Sequence, residues 1–192
     1  REKADAALAR LEAQIRERLG PWVVALDGAN LEEMVGRRLT ENGLTLAVAE
    51  SCTGGQISQR LTSVSGSSLY FERGLVVYSN RAKEELLGVP AEIIAAHGAV
   101  SAQTAVLMAE GVRKRSGTDL GLASTGIAGP TGGSPEKPVG TVYLALAAPE
   151  GTHVKRFNFS GRRDQVTSLA AEVAINWRSE EHTSELQSRQ VI

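Results

Sequence analysis

Cysteine is almost missing from the sequence, which has one, Cys52, in 192 residues. A single thiol excludes an intramolecular disulfide framework and any zinc or iron–sulfur site built from several cysteines. Histidine is also scarce, with three residues at His97, His153 and His182. We therefore expect no metal site, and a reducing compartment fits the cysteine content best.

The sequence also lacks an excess of charge, aromatic residues and long apolar runs. Lys+Arg 21 against Asp+Glu 22 leave a net charge of -1, and aromatic residues make up 4%. These values give no overall attraction to an anionic partner and few side chains for base stacking, so a nucleic-acid partner is disfavoured. No apolar run approaches the roughly 20 residues that span a bilayer, and the first residues are too charged for a secretory signal. We expect a cytoplasmic protein with no membrane partner.

The rest of the composition is that of a globular domain, with 42% hydrophobic and 22% charged residues. Apolar runs typical of strands alternate with helical stripes, and the last two runs form a predicted hairpin. The predicted strands are 44–49, 74–78, 120–124, 139–147 and 153–159. Predicted helices begin at Ser79 or Asn80, at Ser101 and at Gly161. This order predicts an α/β fold, a three-layer αβα sandwich with a mixed, mostly parallel sheet.

The two ends of the chain differ from this central part. Residues 1–29 contain one predicted helix and one predicted strand, too little for a core, and are interpreted as the remnant of a preceding domain or as a docking element. The residues concerned are Ala7, Leu8, Leu11, Ile15 and Leu19 for the helix and 22–26 for the strand. After Trp177 the apolar stripe ends, and residues 178–192 are predicted to be a disordered tail. The stretch RSEEHTSELQS also resembles the in-frame translation of a common sequencing-library adapter, so we expect this tail to be an assembly artefact.

Ser51 lies where the first predicted strand gives way to a glycine-rich helix start. We expect the N–H groups of Thr53, Gly54 and Gly55 to be unpaired there, at the positive end of the helix dipole. Such a turn can bind an anion, either a phosphate or the oxyanion of an attacked carbonyl. Two alternatives stay open. Ser51 can be the N-cap of the helix, and Cys52 can compete with it as the nucleophile or be a structural residue.

A serine nucleophile needs a base, and the histidines are poorly placed for that role. His97 is in a predicted loop, and His153 starts an exposed hairpin strand. Lys83 is the better candidate, because the electropositive first turn of its helix lowers the pKa of an ammonium group. Tyr78, at the end of the adjacent predicted strand, can donate to Ser51 or relay protons. The alternatives are a surface lysine for Lys83 and a core aromatic residue for Tyr78.

Residues 125–138 form a long, glycine-rich loop. Its spacing matches neither the phosphate-binding loop of nucleoside triphosphatases nor the dinucleotide-binding fingerprint. Loops of this length are usually functional or disordered, and glycines let backbone amides approach a ligand. The residues predicted to bind a ligand are Thr125, Gly126, Gly129, Gly132, Gly133 and Lys137. Arg162 and Arg163, at the start of the last helix, can bind an anion or simply be solvated.

Several segments together resemble one known family. They are LAVAESCTGG from Leu46, GSSLYFERGLVVYSN from Gly66, then Lys83 and LLGVP, HGAVS from His97, STGIAGPTGG from Ser124 and EKPVGTVYLAL from Glu136. In this order they resemble the C-terminal domain of the CinA family, the nicotinamide mononucleotide deamidases, over residues 30–177. Residues 1–29 resemble the end of the linker domain that precedes it in full-length CinA proteins.

The resemblance implies hydrolysis of the carboxamide of nicotinamide mononucleotide to nicotinic acid mononucleotide and ammonia, without metal or cofactor. It implies that Ser51 attacks the amide carbon and that Lys83, with Tyr78 nearby, accepts and returns the proton. The turn 51–55 and the loop 125–133 would supply oxyanion donors and phosphate contacts.

One departure concerns the start of the last helix. The family commonly has Gly-Asp-Arg there, whereas this chain has Gly161, Arg162 and Arg163. Arg163 still aligns with the arginine of the family motif and is expected to bind the substrate. The residue before it is basic instead of acidic, so the local charge differs.

The sequence leaves a second function open, a non-catalytic nucleotide-binding or partner-docking module of a competence and DNA-damage protein. Such a module would have the same phosphate loops and no turnover. In either case we expect a homodimer.

Overall fold

The computed structural model of the protein describes residues 29–189 and, before them, Leu8, Arg10, Leu11, Ala13 and Gln14; side chains are described as far as Asn176. The strands are β1 (Leu46–Glu50), β2 (Phe71–Val76), β3 (Leu120–Gly126), β4 (Thr141–Ala148) and β5 (Gly151–Asn158). The helices are α1 (Leu31–Glu41), α2 (Gln56–Thr62), α3 (Asn80–Leu87), α4 (Ala91–His97), α5 (Ala102–Ser116) and α6 (Arg163–Arg189), with a 3₁₀ turn at Ser67–Leu69.

The five strands form one mixed sheet in the order β2-β1-β3-β4-β5. β1 is an interior strand, because it pairs in parallel with β2 on one side and with β3 on the other. β4 pairs antiparallel with both β3 and β5. Of these five strands, β4 alone opposes the direction of the others, which confirms the prediction of a mixed, mostly parallel sheet.

Helices cover both faces of the sheet, because alternate residues of a strand point to opposite faces. In β1, Leu46 and Val48 belong to the apolar layer formed with α1, α2 and α6. Ala47 and Ala49 belong to the layer formed with α3, α4 and α5. The three-layer αβα prediction is confirmed, and the carboxyl end of β1 lies between those of β2 and β3.

Some element boundaries differ from the prediction. β2 ends at Val76, so Tyr78 lies beyond the strand, and β3 continues through Gly126. The expectation that His97 lies in a loop is wrong, because His97 is the last residue of α4. The periodicity did not predict this helix, since seven residues between Pro90 and Gly98 are too few to show a helical stripe.

The ends of the chain also differ in part from expectation. α6 continues as a helix through Arg189, where we expected a disordered tail. No glycine or proline interrupts residues 163–189, and glutamate, glutamine, leucine and arginine all favour a helix. The strand predicted at 22–26 and most of the helix predicted over residues 7–19 lie outside the described residues. None of the helices described is both long and apolar enough to span a membrane.

Candidate functional site

Ser51 directly follows the interior strand β1. Its backbone N–H donates to the carbonyl of Ser124 at 3.0 Å, so the hydrogen bonding with β3 extends to this residue. The chain then turns away from the sheet and enters α2 at Gln56. The Ser51 side chain is 8% exposed. It lies at the carboxyl edge of the sheet, where ligands of open α/β sheets bind.

The side-chain nitrogen of Lys83 lies within hydrogen-bond distance of this hydroxyl. Lys83 is on α3, and its side chain is 1% exposed. Nζ lies 3.1 Å from Ser51 Oγ, 2.8 Å from the carbonyl oxygen of Val77 and 3.3 Å from that of Tyr78. The alternative of a surface lysine is therefore wrong.

The surroundings of Lys83 favour its uncharged form. Burial lowers the pKa of the Lys83 ammonium below its ordinary value of 10.5, because the charged form loses hydration. Its three acceptors in the described part of the chain are two carbonyls and a hydroxyl, and none is a carboxylate. A neutral amine can donate to the two carbonyls and turn its lone pair to Ser51, which is the arrangement of a general base.

The amino end of α2 is occupied by a carboxylate of the chain itself. Gly55 donates its N–H to Glu50 Oε2 at 2.9 Å, and Gly54 donates to the carbonyl of Ser51 at 3.2 Å. The expectation of unpaired N–H groups at Gly54 and Gly55 is therefore wrong, because Glu50 folds back over the turn. The N-cap interpretation of Ser51 is wrong as well, since Gly55 holds the N-cap position.

Thr53 turns its side chain away from solvent. Its hydroxyl lies 2.7 Å from Glu50 Oε2 and 2.7 Å from Ser124 Oγ, and the residue is 1% exposed. Its backbone N–H has no acceptor among the described residues, so of the three N–H groups expected to be unpaired it is the one that is.

Cys52 lies beside Ser51 and is packed into the interior. Its sulfur lies against Gly126, close to Ser124. Burial raises the pKa of the Cys52 thiol to about 12. A thiol of such high pKa supplies almost no thiolate near neutral pH. The structural interpretation of Cys52 is therefore favoured over the nucleophilic one.

Tyr78 and Arg163 form a pair at the surface of the same sheet edge. Tyr78 is 61% exposed, so the alternative of a core aromatic residue is wrong. Arg163 donates from Nη2 to the Tyr78 hydroxyl at 2.8 Å and from Nη1 to the carbonyl of Gly129 at 2.9 Å. The guanidinium thus links the chain after β2 to the glycine-rich loop. Arg162 instead forms an ion pair with Asp164.

The first residues of the glycine-rich segment belong to β3. Thr125 is buried, and its hydroxyl donates to the carbonyl of Ala99 at 2.7 Å. A Cβ on Gly126 would lie 2.7 Å from Val142 Cγ2, so the missing side chain permits close packing between β3 and β4. Both residues thereby have packing roles in addition to any contact with a ligand.

The rest of the loop spreads over the surface. Gly129 and Gly132 have φ angles of 82° and 91°, a region that favours glycine. Gly133 lies against the backbone of Val139. Lys137 donates from Nζ to the carbonyl of His97 at 2.8 Å. The structure therefore brings Gly129 to Arg163, and Lys137 to the end of α4.

The two histidines considered as bases are not bonded to Ser51. His97 ends α4, and His153 lies on β5, at the edge of the sheet three strands away from β1. Among the residues that the structure describes, no three His, Cys, Asp or Glu side chains are grouped so that they could hold a metal ion.

Glu50 is the residue of the site that sequence reasoning missed. The predicted strand ended before it, which placed Glu50 in the turn. A charged residue directly behind a buried apolar run, followed by small residues at a helix start, is a signal that could have identified it.

The chain is similar to proteins of one family over most of its length. The family model described as the CinA C-terminal domain matches residues 28–181. A CinA-like protein of Geotalea daltonii is 53% identical over 174 residues, which cover 91% of this chain and 42% of that protein. The chain thus spans about two fifths of the length of the curated relatives it matches.

Solved structures show the same similarity. The competence/damage inducible protein CihA from Agrobacterium tumefaciens is 41% identical, with a TM-score of 0.72 over 78% of this chain and 94% of its own. The competence damage-inducible protein A (ComA) from Klebsiella pneumoniae is 34% identical, with a TM-score of 0.76 over 81% of this chain and 98% of its own. By the extent of the family match and the identity to these relatives, the chain belongs to the CinA C-terminal domain family.

Proposed function

We propose that the protein is a serine-dependent amidohydrolase that converts nicotinamide mononucleotide to nicotinic acid mononucleotide and ammonia, in pyridine nucleotide recycling. The observation that carries the proposal is the 3.1 Å distance between the buried Lys83 Nζ and Ser51 Oγ. A serine hydroxyl is a weak nucleophile until an adjacent base takes its proton. The substrate follows from the resemblance of the sequence motifs to the nicotinamide mononucleotide deamidases.

The first half of the reaction forms an ester on Ser51. The hydroxyl proton passes to the neutral amine of Lys83 while Oγ adds to the carboxamide carbon, and the carbonyl electron pair moves to oxygen. The intermediate collapses as its C–N bond breaks, and Lys83 returns the proton to the departing nitrogen, which leaves as ammonia.

The second half restores the enzyme. Water adds to the ester carbon and gives its proton to Lys83. The bond from carbon to Ser51 Oγ then breaks, Oγ recovers the proton, and the carboxylic acid is released. The N–H of Thr53 is the donor that we assign to the oxyanion, because the neighbouring N–H groups of Gly54 and Gly55 are used within the turn.

Arg163 is the residue that we assign to the substrate phosphate. Its guanidinium already points two nitrogens at the same sheet edge as Ser51, one to Tyr78 and one to Gly129. Both partners are uncharged, so a phosphate can replace or join them as a stronger, charge-assisted acceptor. Tyr78, whose hydroxyl is bonded to Arg163, would then contact the substrate as well.

Ammonia release from nicotinamide mononucleotide tests the proposal. We expect release by the wild-type protein, loss of release in Ser51→Ala, and a kcat at least about a hundredfold lower in Lys83→Met, because a positioned base contributes that much or more. Isothermal titration should show that Lys83→Met still binds the substrate.

Lys114→Met is the matched control, since it makes the same change at an exposed position of α5. It should retain full activity. Tight binding of the nucleotide without ammonia release by the wild-type protein would contradict the enzyme and support the non-catalytic binding module. A fully active Lys83→Met variant would remove Lys83 as the base.

A further inference from the structure

Glu50 is a buried carboxylate next to the nucleophile that the proposed reaction does not use. Its exposure is 0%, and it is the last residue of β1. All its hydrogen-bond partners in the described residues are uncharged groups. Lys83 instead bonds to Ser51, Val77 and Tyr78. A buried carboxylate without a cation is costly unless its oxygens are fully hydrogen-bonded.

Five hydrogen bonds from the following turn and helix meet this requirement. Oε2 accepts from the N–H of Gly55 at 2.9 Å, the N–H of Ile57 at 3.1 Å and the hydroxyl of Thr53 at 2.7 Å. Oε1 accepts from the N–H of Ser58 at 2.8 Å and from its hydroxyl at 2.6 Å. One side chain therefore binds three backbone N–H groups at the start of α2.

The segment held in this way cannot keep its shape alone. α2 has seven residues, and an isolated helix of that length is unstable in water. The turn before it contains Gly54 and Gly55, whose φ angles are 61° and 103°. Glycine can adopt many other backbone conformations as readily as these. Without the carboxylate, the turn 51–55 would have many backbone states, and the direction of the Ser51 side chain would vary with them.

Glu50 also connects this turn to β3. The Thr53 hydroxyl, which is bonded to Glu50, lies 2.7 Å from Ser124 Oγ. Ser124 in turn accepts the backbone N–H of Ser51. The carboxylate, the turn and two neighbouring strands thus form one closed set of hydrogen bonds around the nucleophile.

We propose that Glu50 is the positioning residue of the site, whose carboxylate fixes the turn 51–55 so that Ser51 Oγ faces Lys83 Nζ. The proposal rests on the proposed function for its kinetic consequences. Glu50 acts through Ser51 and contacts neither the substrate nor the base.

Glu50→Gln tests this role with an isosteric side chain. Glutamine has one acceptor oxygen, so at least one backbone N–H of α2 must face its NH₂ group and lose its bond. We expect kcat to fall by about a hundredfold, the effect of a misplacement of roughly 1 Å, with KM unchanged. The pH midpoint of kcat should also stay unchanged, because the burial of Lys83 and its contacts with the carbonyls of Val77 and Tyr78 do not involve Glu50.

Asp119→Asn is the matched control at the other end of the same two strands. Asp119 precedes β3, and its Oδ2 accepts the N–H and the hydroxyl of Thr45 at 2.8 and 2.7 Å. This variant should lower the urea midpoint of unfolding while kcat stays within about twofold of wild type. Ser58→Ala is the milder variant, which removes one of the five bonds and should lower kcat by about tenfold even if Glu50→Gln fails to fold.

A reactivity measurement separates this proposal from the proposed function. The rate at which phenylmethylsulfonyl fluoride sulfonylates Ser51 requires an aligned serine and base but no nucleotide. We expect this rate to fall in Glu50→Gln and Ser58→Ala, and not in Asp119→Asn.

If the wild-type protein fails to hydrolyse the nucleotide but this pattern holds, the function is wrong and the positioning role stands. If the nucleotide is hydrolysed and both Glu50→Gln and Ser58→Ala retain wild-type kcat and sulfonylation rate, the positioning role is overturned. A shifted pH midpoint in Glu50→Gln would also overturn it, since Glu50 would then act on the base.

Discussion

Two titratable side chains next to Ser51 respond to burial in opposite directions. Burial lowers the pKa of the Lys83 ammonium and raises that of the Cys52 thiol to about 12. The cause is the same for both, because a buried site disfavours whichever form carries the charge. Burial thus shifts Lys83 toward its neutral, basic form and keeps the Cys52 thiol protonated, so the Ser51 hydroxyl is the nucleophile that the amine can activate.

The pH dependence of turnover follows from the lowered pKa of Lys83. The base works in its neutral form, so kcat should rise with pH as the ammonium loses its proton, with a midpoint below the ordinary 10.5. A pH profile of kcat measures this midpoint. Lys114→Met, which changes an exposed lysine of α5, is the control and should show the same profile. A midpoint at or above 10.5 would contradict the burial argument.

Cys52 should be unreactive in the folded protein. Its raised pKa and its burial both suppress the thiolate that attacks a disulfide reagent. With 5,5′-dithiobis(2-nitrobenzoic acid) at pH 7.5, we expect no labelling of the native protein and stoichiometric labelling in urea. Rapid native labelling that abolishes turnover would return Cys52 to consideration as the nucleophile.

At the scale of elements, the position of Lys83 depends on how closely α3 approaches α5. A Cβ built on Gly111 of α5 would lie 2.2 Å from the carbonyl oxygen of Leu87, the last residue of α3. The glycine therefore allows a helix-to-helix contact that no larger residue permits. This contact holds α3, and with it Lys83, against α5.

Gly111→Ala tests this contact through a competition of two effects. Alanine in an open helix would stabilise the protein by about 1 kcal/mol, whereas the overlap with Leu87 costs about 1 to 3 kcal/mol. We expect the overlap to prevail, with a lower free energy of unfolding in urea and a lower kcat. Lys114→Ala, on the exposed side of α5, should change the free energy of unfolding by less than about 0.5 kcal/mol. A more stable Gly111→Ala variant would contradict the close approach.

At the scale of the whole molecule, the site lies at the carboxyl edge of the sheet, whose two faces are covered by separate apolar layers. Lys83 is one of the largest fully buried side chains in the described residues, as are the core residues Ile57 and Met108. Its burial is unfavourable when the amine is charged, so the proposed function carries a cost in stability. That cost depends on pH, because the unfolded chain binds the proton more tightly than the folded one.

The global stability should record this linkage. Between the lowered folded pKa and about 10.5, the unfolded state carries more protons on Lys83, so stability rises with pH. Lys83→Met removes this dependence. We expect the difference in free energy of unfolding, wild type minus Lys83→Met, to rise with pH up to about 10.5 and then to level off. A difference that stays constant over this range would show that Lys83 titrates normally in the folded protein.

Much of the fold could be predicted because its signals are local. The alternation of apolar runs with helical stripes predicted the layered architecture. Single residues predicted the cap at Ser101 and narrowed that of α3 to Ser79 or Asn80, of which Ser79 is the cap. The short helix α4 could not be predicted, since seven residues are too few to show a helical pattern. It is stabilised by packing on α5, which the sequence does not reveal. Ser51 and Lys83 were predicted as a pair from the motifs and the positions of their elements.

The sequence by itself determined the layered fold, the family and the strand-to-helix junction at which Ser51 lies, because these depend on patterns within short segments. Only the tertiary structure decided that the amine of Lys83 reaches a hydroxyl 32 residues away and that Glu50, not a ligand, fills the start of α2. Desolvation and hydrogen-bond pairing arise when separate segments come together, so no single segment contains them.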